Sequence, residues 1–398
     1  MFDNLVPSSP LGMRIYLAIV LAVCPIAAPG AEPAPPISVK TPAFVPLPPG
    51  DVPRLRVKVI HSLPEPVIDG KTPGAEKIPG GFEGGNSVKV MINGRPQYHF
   101  FAHCYPTAGW GRSQLDHWVS DDGNTFRHVG VMLEDYEDKT TGLKHIFTAP
   151  MPFYCEKESR WYLSFGEFVV KIGGDWSSDG GTMWCAPAKE TGLAGINGSY
   201  DFSKRYEFVT RQCLNKRPVS NSAPFQVKDG RWVVFVCPDG EVDRLSGHWP
   251  ILLSFADSPL GPFRATSKPV VLPMLDPTGL TENPVLTKVR GPKTGHEYWV
   301  AVFDFLGPET GRYTPLNVFG FTWSDDGIHW PKEHGQIVNV DDGLPAGREG
   351  WWHTASAIRT PHQLLDEGDG LYTIFFTGTH AGGCFRPAGK VTVRLVED

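Results

Sequence analysis

Polar and apolar residues alternate strictly along Arg54-Leu55-Arg56-Val57-Lys58-Val59-Ile60, the period-two signature of a half-buried strand. Beyond it, one strand–turn–strand pattern recurs. Asn86-Ser87-Val88 leads to Tyr98-His99-Phe100-Phe101, and Ala149-Pro150-Met151 to Trp161-Tyr162-Leu163. Ala223-Pro224-Phe225 leads to Trp232-Val233-Val234-Phe235, Glu282-Asn283-Pro284-Val285-Leu286 to the apolar run Tyr298 to Phe305, and Ala355-Ser356-Ala357 to Tyr372-Thr373-Ile374-Phe375. Five copies over roughly 320 residues give about 60 to 75 residues each, the size of a four-stranded blade. The pattern predicts an all-β fold, a five-bladed β-propeller. The last repeat has only Lys390 to Val396 to follow Tyr372. Residues 54–60 are therefore predicted to supply the outermost strand of the last blade and close the ring, which removes exposed strand edges.

The outer halves of the blades repeat as well. Ser120-Asp121-Asp122-Gly123-Asn124-Thr125-Phe126 matches Ser324-Asp325-Asp326-Gly327-Ile328-His329-Trp330. Asp-Gly supplies the positive φ of a tight turn, and the aromatic pins the turn to the blade. These acidic residues read as turn chemistry rather than as catalysts. Ala256-Asp257-Ser258-Pro259-Leu260-Gly261-Pro262-Phe263 has a looser relative in residues 188–195.

The N-terminus carries a different pattern. Arg14 precedes the apolar run Ile15 to Val23, and small residues follow through Ala31. This is the layout of an export signal, predicted for residues 1–31 with initiation at Met1 or Met13, and the run is too short for a membrane span. Residues 32–53 are proline-rich and read as an extended lead-in, and 54–398 form the propeller. The expected location is secreted or periplasmic. Removing the signal leaves six cysteines, at 104, 155, 185, 213, 237 and 384. None forms a CxxC pair, so a zinc knuckle is not expected, and buried free thiols and bridges both fit their contexts. With 398 residues, 41% hydrophobic, there is material for a large core. A formal net charge of −6 gives no basic field for nucleic acid.

The five repeats, the Asp-Gly-x-x-aromatic hairpins, Ser258-Pro259-Leu260-Gly261-Pro262-Phe263 and Glu282-Asn283-Pro284 together resemble the five-bladed β-propeller glycoside hydrolases, in the style of family 43, the arabinanases and xylosidases. The likeness runs from residue 54 to the end. It implies a carbohydrate substrate, a general-base Asp on the first inner strand, a pKa-tuning Asp on the third and a general-acid Glu on the fourth. Glu282, two residues before Pro284, matches the acid. The positions matching the base and the tuning residue hold Asn86 and Ala223.

In a propeller, inner strands start at one mouth of the central channel and second strands return to it. The first tier of mouth residues is then Gly85-Asn86, Thr148-Ala149, Ser222-Ala223, Glu282-Asn283 and Thr354-Ala355, with His353 just before the last. Five residues past each second-strand aromatic lie His103, Glu167, Cys237, Asp304 and Thr377. Glycoside cleavage needs one protonated and one ionised carboxyl group. The candidates are Glu282 as acid, Asp304 or Glu167 as base or nucleophile, and Glu83 in reserve. Asn86, His103, Asn221 and His353 are expected to bind substrate. Sugar faces stack on aromatic rings, which adds Trp110, Trp351 and Trp352 in mouth-side loops, and Arg112 offers bidentate pairing to a sugar carboxylate or sulfate. No HExxH or spaced carboxylate–histidine cluster points to a catalytic metal. No cofactor is expected, although the axis leaves room for one structural Ca²⁺.

These readings converge on a secreted glycoside hydrolase. A glycoside phosphorylase, with inorganic phosphate in place of the second carboxylate, and a non-catalytic carbohydrate-binding propeller fit the same pattern.

Overall fold

The protein is described by a computed structural model that covers residues 52–107, 112–174, 181–210, 218–238, 251–270, 280–306, 317–346, 356–380 and 385–398. The export-signal and lead-in readings, and Trp110, Trp351, Trp352 and His353, lie outside them. Strand β1 (Leu55–Ser62) opens the fold, and blade one follows as β2 (Gly81–Ile92), β3 (Arg95–Tyr105), β4 (Gln114–Ser120) and β5 (Arg127–Glu134). Blade two holds β6 (Tyr136–Asp138), β7 (Leu143–Cys155), β8 (Arg160–Lys171), β9 (Gly181–Thr191) and β10 (Tyr206–Val209). Blade three has β11 (Pro218–Asn221) and β12 (Phe225–Gln226) as a divided inner strand, then β13 (Trp232–Pro238), β14 (Ile251–Ala256) and β15 (Arg264–Val270). Blade four is β16 (Leu280–Arg290), β17 (Glu297–Leu306), β18 (Val318–Ser324) and β19 (Gln336–Asn339). Blade five has β20 (Ser356–Pro361), β21 (Leu365–Gly368), β22 (Leu371–His380) and β23 (Ala388–Glu397), and β1 pairs antiparallel with β23 from Leu55↔Glu397 to Ser62↔Val391. Five antiparallel sheets, with the N-terminal strand completing the last, are the architecture that the repeats predict.

The inner strands neighbour one another in the order β2, β7, β11, β16, β20 and back to β2. Alternation explains how the blades pack, because each strand offers one face to each neighbouring blade. Phe101 and Leu115 of blade one meet Phe147 and Leu163 of blade two, while Phe100 and Trp118 on the opposite face meet Phe375 of blade five. Trp161 of β8 and Trp299 of β17 are buried. Cys104, Cys155 and Cys185 are buried free thiols.

Both Asp-Gly turns are built alike. The Ser120 hydroxyl accepts from Gly123 N at 2.8 Å, and Asp122 Oδ1 accepts from the amides of Asn124 and Thr125. Ser324 and Asp326 do the same for Gly327, Ile328 and His329. Asp122 and Asp326 are thus consumed by turn amides, while Asp325 faces Lys228 and His296 across the blade junction.

Four inner strands share a register shift near their start, between Phe82/Gly84, Thr148/Met151, Glu282/Val285 and Ile358/Pro361. Ala149 and Asn283 take φ of 48° and 47° there, each just before a proline. A left-handed non-glycine residue costs about 1–3 kcal/mol and tends to mark functional positions, while a bulge bends its strand and re-aims the side chains beside it. These kinks lie at the end of the channel where the sequence places the mouth.

Candidate functional site

At the mouth, blade four sets two of the predicted carboxylate residues opposite each other in one ladder. The β16/β17 ladder sets Leu280 opposite Leu306, Thr281 opposite Phe305 and Glu282 opposite Asp304. Asp304 is 1% exposed, and its Oδ2 accepts a 3.0 Å hydrogen bond from Nδ2 of Asn283. The left-handed turn at Asn283 thus serves two ends: it breaks the ladder after Glu282 and turns an amide onto Asp304.

Other predicted carboxylates are committed elsewhere. Glu167 is buried, with His145 Nδ1 2.8 Å from Oε1, Trp184 Nε1 donating to Oε2 at 2.5 Å, and Arg205 Nη2 3.6 Å from Oε1. A carboxylate held on both oxygens is an anchor rather than a base free to activate water. Glu83 forms an ion pair with Arg386, and its carbonyl accepts from Thr377 Oγ1 at 2.9 Å and Thr360 Oγ1 at 3.3 Å. It ties blade one to blade five across the ring closure. Neither partner set is local in sequence, which is why pattern reading left both residues open as catalysts.

The predicted binding residues also separate. Asn86 is buried, and its Oδ1 accepts from the amides of Ser87 at 2.9 Å and Gln363 at 3.1 Å. Its Nδ2 has no hydrogen-bond partner among the described residues. His103 is buried beside the Tyr105 ring, 5.2 Å between centroids, and burial lowers its pKa to about 3, so the imidazole is neutral. Arg112 lies with its Nε 3.3 Å from the buried Asp135, which Lys144 also approaches at 3.1 Å. The Asn221 backbone pairs with Val236 in β11/β13. Among the described residues, no cluster of three or more His, Cys, Asp or Glu side chains is placed to hold a metal ion.

Asn283, read with Glu282 as a mouth residue, is given a specific part by the structure, as a donor to Asp304. One feature escaped the sequence reading: β6, which pairs with β7 on the side away from β8 and follows directly on β5, the outermost strand of blade one. Three exposed or half-exposed residues carry too little periodicity to register as a strand. At the opposite end of the channel a cavity of about 1200 Å³ opens between Phe153, Trp161, Trp232, Leu286 and Gln363. None of the predicted carboxylates lines it.

No protein-family model and no curated protein matches this sequence. Similarity of fold is found with a β-fructofuranosidase from Schwanniomyces occidentalis complexed with fructosyl-erythritol (TM-score 0.53, 11% identity, 85% of this chain and 58% of that one). It is found also with an exo-β-1,3-galactanase from Clostridium thermocellum (TM-score 0.50, 12% identity, 84% and 62%). A third structure, described as a glycoside hydrolase, gives a TM-score of 0.55 at 12% identity, over 85% of this chain and 92% of that one. The chain spans about three fifths of the length of the first two. What is shared at these identities is the five-bladed propeller itself.

Proposed function

We propose that the protein is a glycoside hydrolase in which Glu282 is the general acid and Asp304 its carboxylate partner. The observation that carries this reading is the β16/β17 register, which sets the two residues directly opposite each other at the channel mouth. In this reading one carboxyl group of the pair keeps its proton at a pH where the other has lost it. That asymmetry is what cleavage requires: a proton for the leaving oxygen, and a charge to activate water or meet the developing positive charge of the sugar ring. Asn283 donates to Asp304 Oδ2, and we give the ionised part to Asp304 and the proton to Glu282. The fold is supporting context, because the same propeller is seen in proteins that act on fructosides and β-1,3-galactans. Export from the cell, predicted from residues 14–31, fits an enzyme acting on external polysaccharide.

A second reading, phosphorolysis, is favoured by one observation. Asn86 presents a buried amide donor where the resembled family carries its base, and a phosphate anion is met by donors rather than by a carboxylate. One experiment decides. The purified full chain is incubated with arabinan, xylan, β-1,3-galactan and fructan oligosaccharides, with and without inorganic phosphate, beside Glu282→Gln and Asp304→Asn. Hydrolysis predicts reducing-sugar release without phosphate, reduced about 10²–10⁴-fold in Glu282→Gln. Sugar phosphate formed only when phosphate is present would establish the second reading. Binding with no turnover in either condition would leave a carbohydrate-binding propeller.

A further inference from the structure

The cavity at the far end of the channel takes no part in the chemistry proposed above. Leu286 on its wall follows Glu282 by four residues, about 13 Å of strand, so the two places are separate. Aromatic residues of two blades line it: Phe153, Tyr154 and Trp161 from blade two, Phe225 and Trp232 from blade three. Several of these rings are held in place. Trp161 Nε1 donates to Leu193 O at 2.8 Å, Tyr154 lies against Trp161 at 5.2 Å between centroids, and Phe153 stacks on Tyr162 at 5.7 Å. Tyr154 and Trp232 are only half-buried, and the lining residue Met91 is 52% exposed. On the side of Asn86 the wall is Gln363, whose backbone N–H donates to Asn86 Oδ1 at 3.1 Å and whose side-chain amide donates to Ser87 O at 2.8 Å. The lining charges are largely paired. Lys89 meets Glu367 at 2.6 Å and Lys288 meets Glu297 at 2.8 Å, which leaves Lys157 against the carboxylates of Glu156, Asp257 and Asp366.

We propose that this cavity is a second, non-catalytic glycan site that takes a neutral oligosaccharide of several units. A sugar ring has an apolar face and a rim of hydroxyls, and the lining offers partners to both: rings to stack on, and amides, carboxylates and a lysine for the hydroxyls. An acidic ligand, whether uronate or phosphate, meets more carboxylate than cation here. A wholly apolar ligand would strip water from Gln226, Gln363 and the Lys89–Glu367 pair and return no hydrogen bond. A volume of about 1200 Å³ exceeds the roughly 300–1,000 Å³ of sites for one small molecule, which suits a chain of sugars better than a monosaccharide. Walls already fixed by their own contacts have little freedom to lose on binding. Seated here, one glycan chain holds the protein on a polysaccharide while the mouth acts on another. That use rests on the hydrolase reading, whereas the binding itself does not.

The test is calorimetric titration of neutral arabino-, xylo-, β-1,3-galacto- and fructo-oligosaccharides of two to six units. Oligogalacturonate and a proline-rich peptide, which also suits aromatic grooves, stand for the competing classes. The proteins are the full chain, Trp232→Ala, Trp232→Phe and Ser258→Trp, with Tm measured for each. Ser258 is a half-buried lining residue, so its replacement adds bulk to the cavity without removing a core side chain. Trp232→Ala weakens the longest bound oligosaccharide by about twofold to tenfold, the worth of one stacked ring. Trp232→Phe recovers most of that affinity, and Ser258→Trp loses at least as much at an unchanged Tm. Glu282→Gln keeps the part of the binding that depends on Trp232, which separates this site from the mouth. Equal affinities for wild type, Trp232→Ala and Ser258→Trp, or no binding of any neutral oligosaccharide, overturn the proposal. So does binding that depends on Trp232 for the acidic glycan or the peptide alone. Trp232-dependent glycan binding in a chain that cleaves nothing leaves this site standing while the hydrolase reading fails. Cleavage together with binding indifferent to Trp232 and Ser258 does the reverse.

Discussion

Nδ2 of Asn283 lies 3.0 Å from Oδ2 of Asp304, the residue that faces Glu282 across the ladder. The contact is made from a residue at φ 47°, a conformation that glycine adopts without strain. Asn283→Gly therefore removes the amide and keeps the backbone. We expect catalytic efficiency to fall about tenfold, the worth of one hydrogen bond to a charged group, with Tm little changed. Steady-state kinetics beside thermal unfolding check the prediction, since a loss of fold would lower Tm as well as activity.

Far from the mouth, Glu397 closes the fold. Its carboxylate accepts from Lys293 N at 2.7 Å, Thr294 N at 2.9 Å, Thr294 Oγ1 at 2.6 Å and Tyr298 Oη at 2.8 Å. Burial works to raise its pKa, but the hydrogen bonds from Thr294, Tyr298 and Lys293 outweigh it and hold the group below the usual carboxylate range. Glu397→Ala leaves the buried Tyr298 hydroxyl and three donors of the exposed turn without their acceptor and should cost about 1–3 kcal/mol in urea unfolding. A depressed folded-state pKa means the stabilisation is complete above the unfolded value and is lost as pH falls through the folded one. Acid unfolding of Glu397→Gln should accordingly be less steep than that of wild type below about pH 4.5.

Buried imidazoles act in a neighbouring pH range. Burial lowers His103 and His362 to about 3, and burial with the nearby Arg127 charge lowers His99 to about 3. These groups are neutral when folded and take up protons near pH 6.5 when unfolded, so the unfolded state binds more protons between these values. Stability should therefore fall as pH drops from about 6.5 toward 3, by as much as 1.4 kcal/mol per unit for each histidine. Unfolding free energies measured at half-unit intervals check the slope, and His103→Gln should reduce it by one histidine's share.

Ring closure by β1 can be tested by side-chain removal. Leu55 is 2% exposed and joins the core that blades four and five share, whereas Lys58 of the same strand is exposed. Leu55→Ala should cost about 2–5 kcal/mol and Lys58→Ala less than about 0.5. Equal small effects would mean that the strand contributes little to closure.

Much of this architecture was legible because it is written locally. Asp-Gly turns state their own conformation, Leu55 and Val57 alternate with charged neighbours, and the aromatics of each second strand set a register that runs to Asp304. The pairing of Glu282 with Asp304 follows from that register. Partners distant in sequence were not legible. Nothing near Glu83 announces Arg386, and nothing near Glu167 announces that Trp184 and Arg205 will fold over it, so both carboxylates read as candidate catalysts until the blades are assembled. The β6 strand was invisible for another reason: its three residues have no buried face to leave a pattern.

Loss of the general acid provides the most direct test of the proposed chemistry. Glu282→Gln is compared with wild type on an oligosaccharide and on the dinitrophenyl glycoside of the sugar that wild type releases, with kcat/KM measured for each. A dinitrophenolate leaves without a proton, whereas a sugar alkoxide does not. Our account predicts a fall of about 10²–10⁴-fold on the oligosaccharide and less than about tenfold on the aryl glycoside. Equal losses on both substrates, or none on either, would contradict the assignment of Glu282.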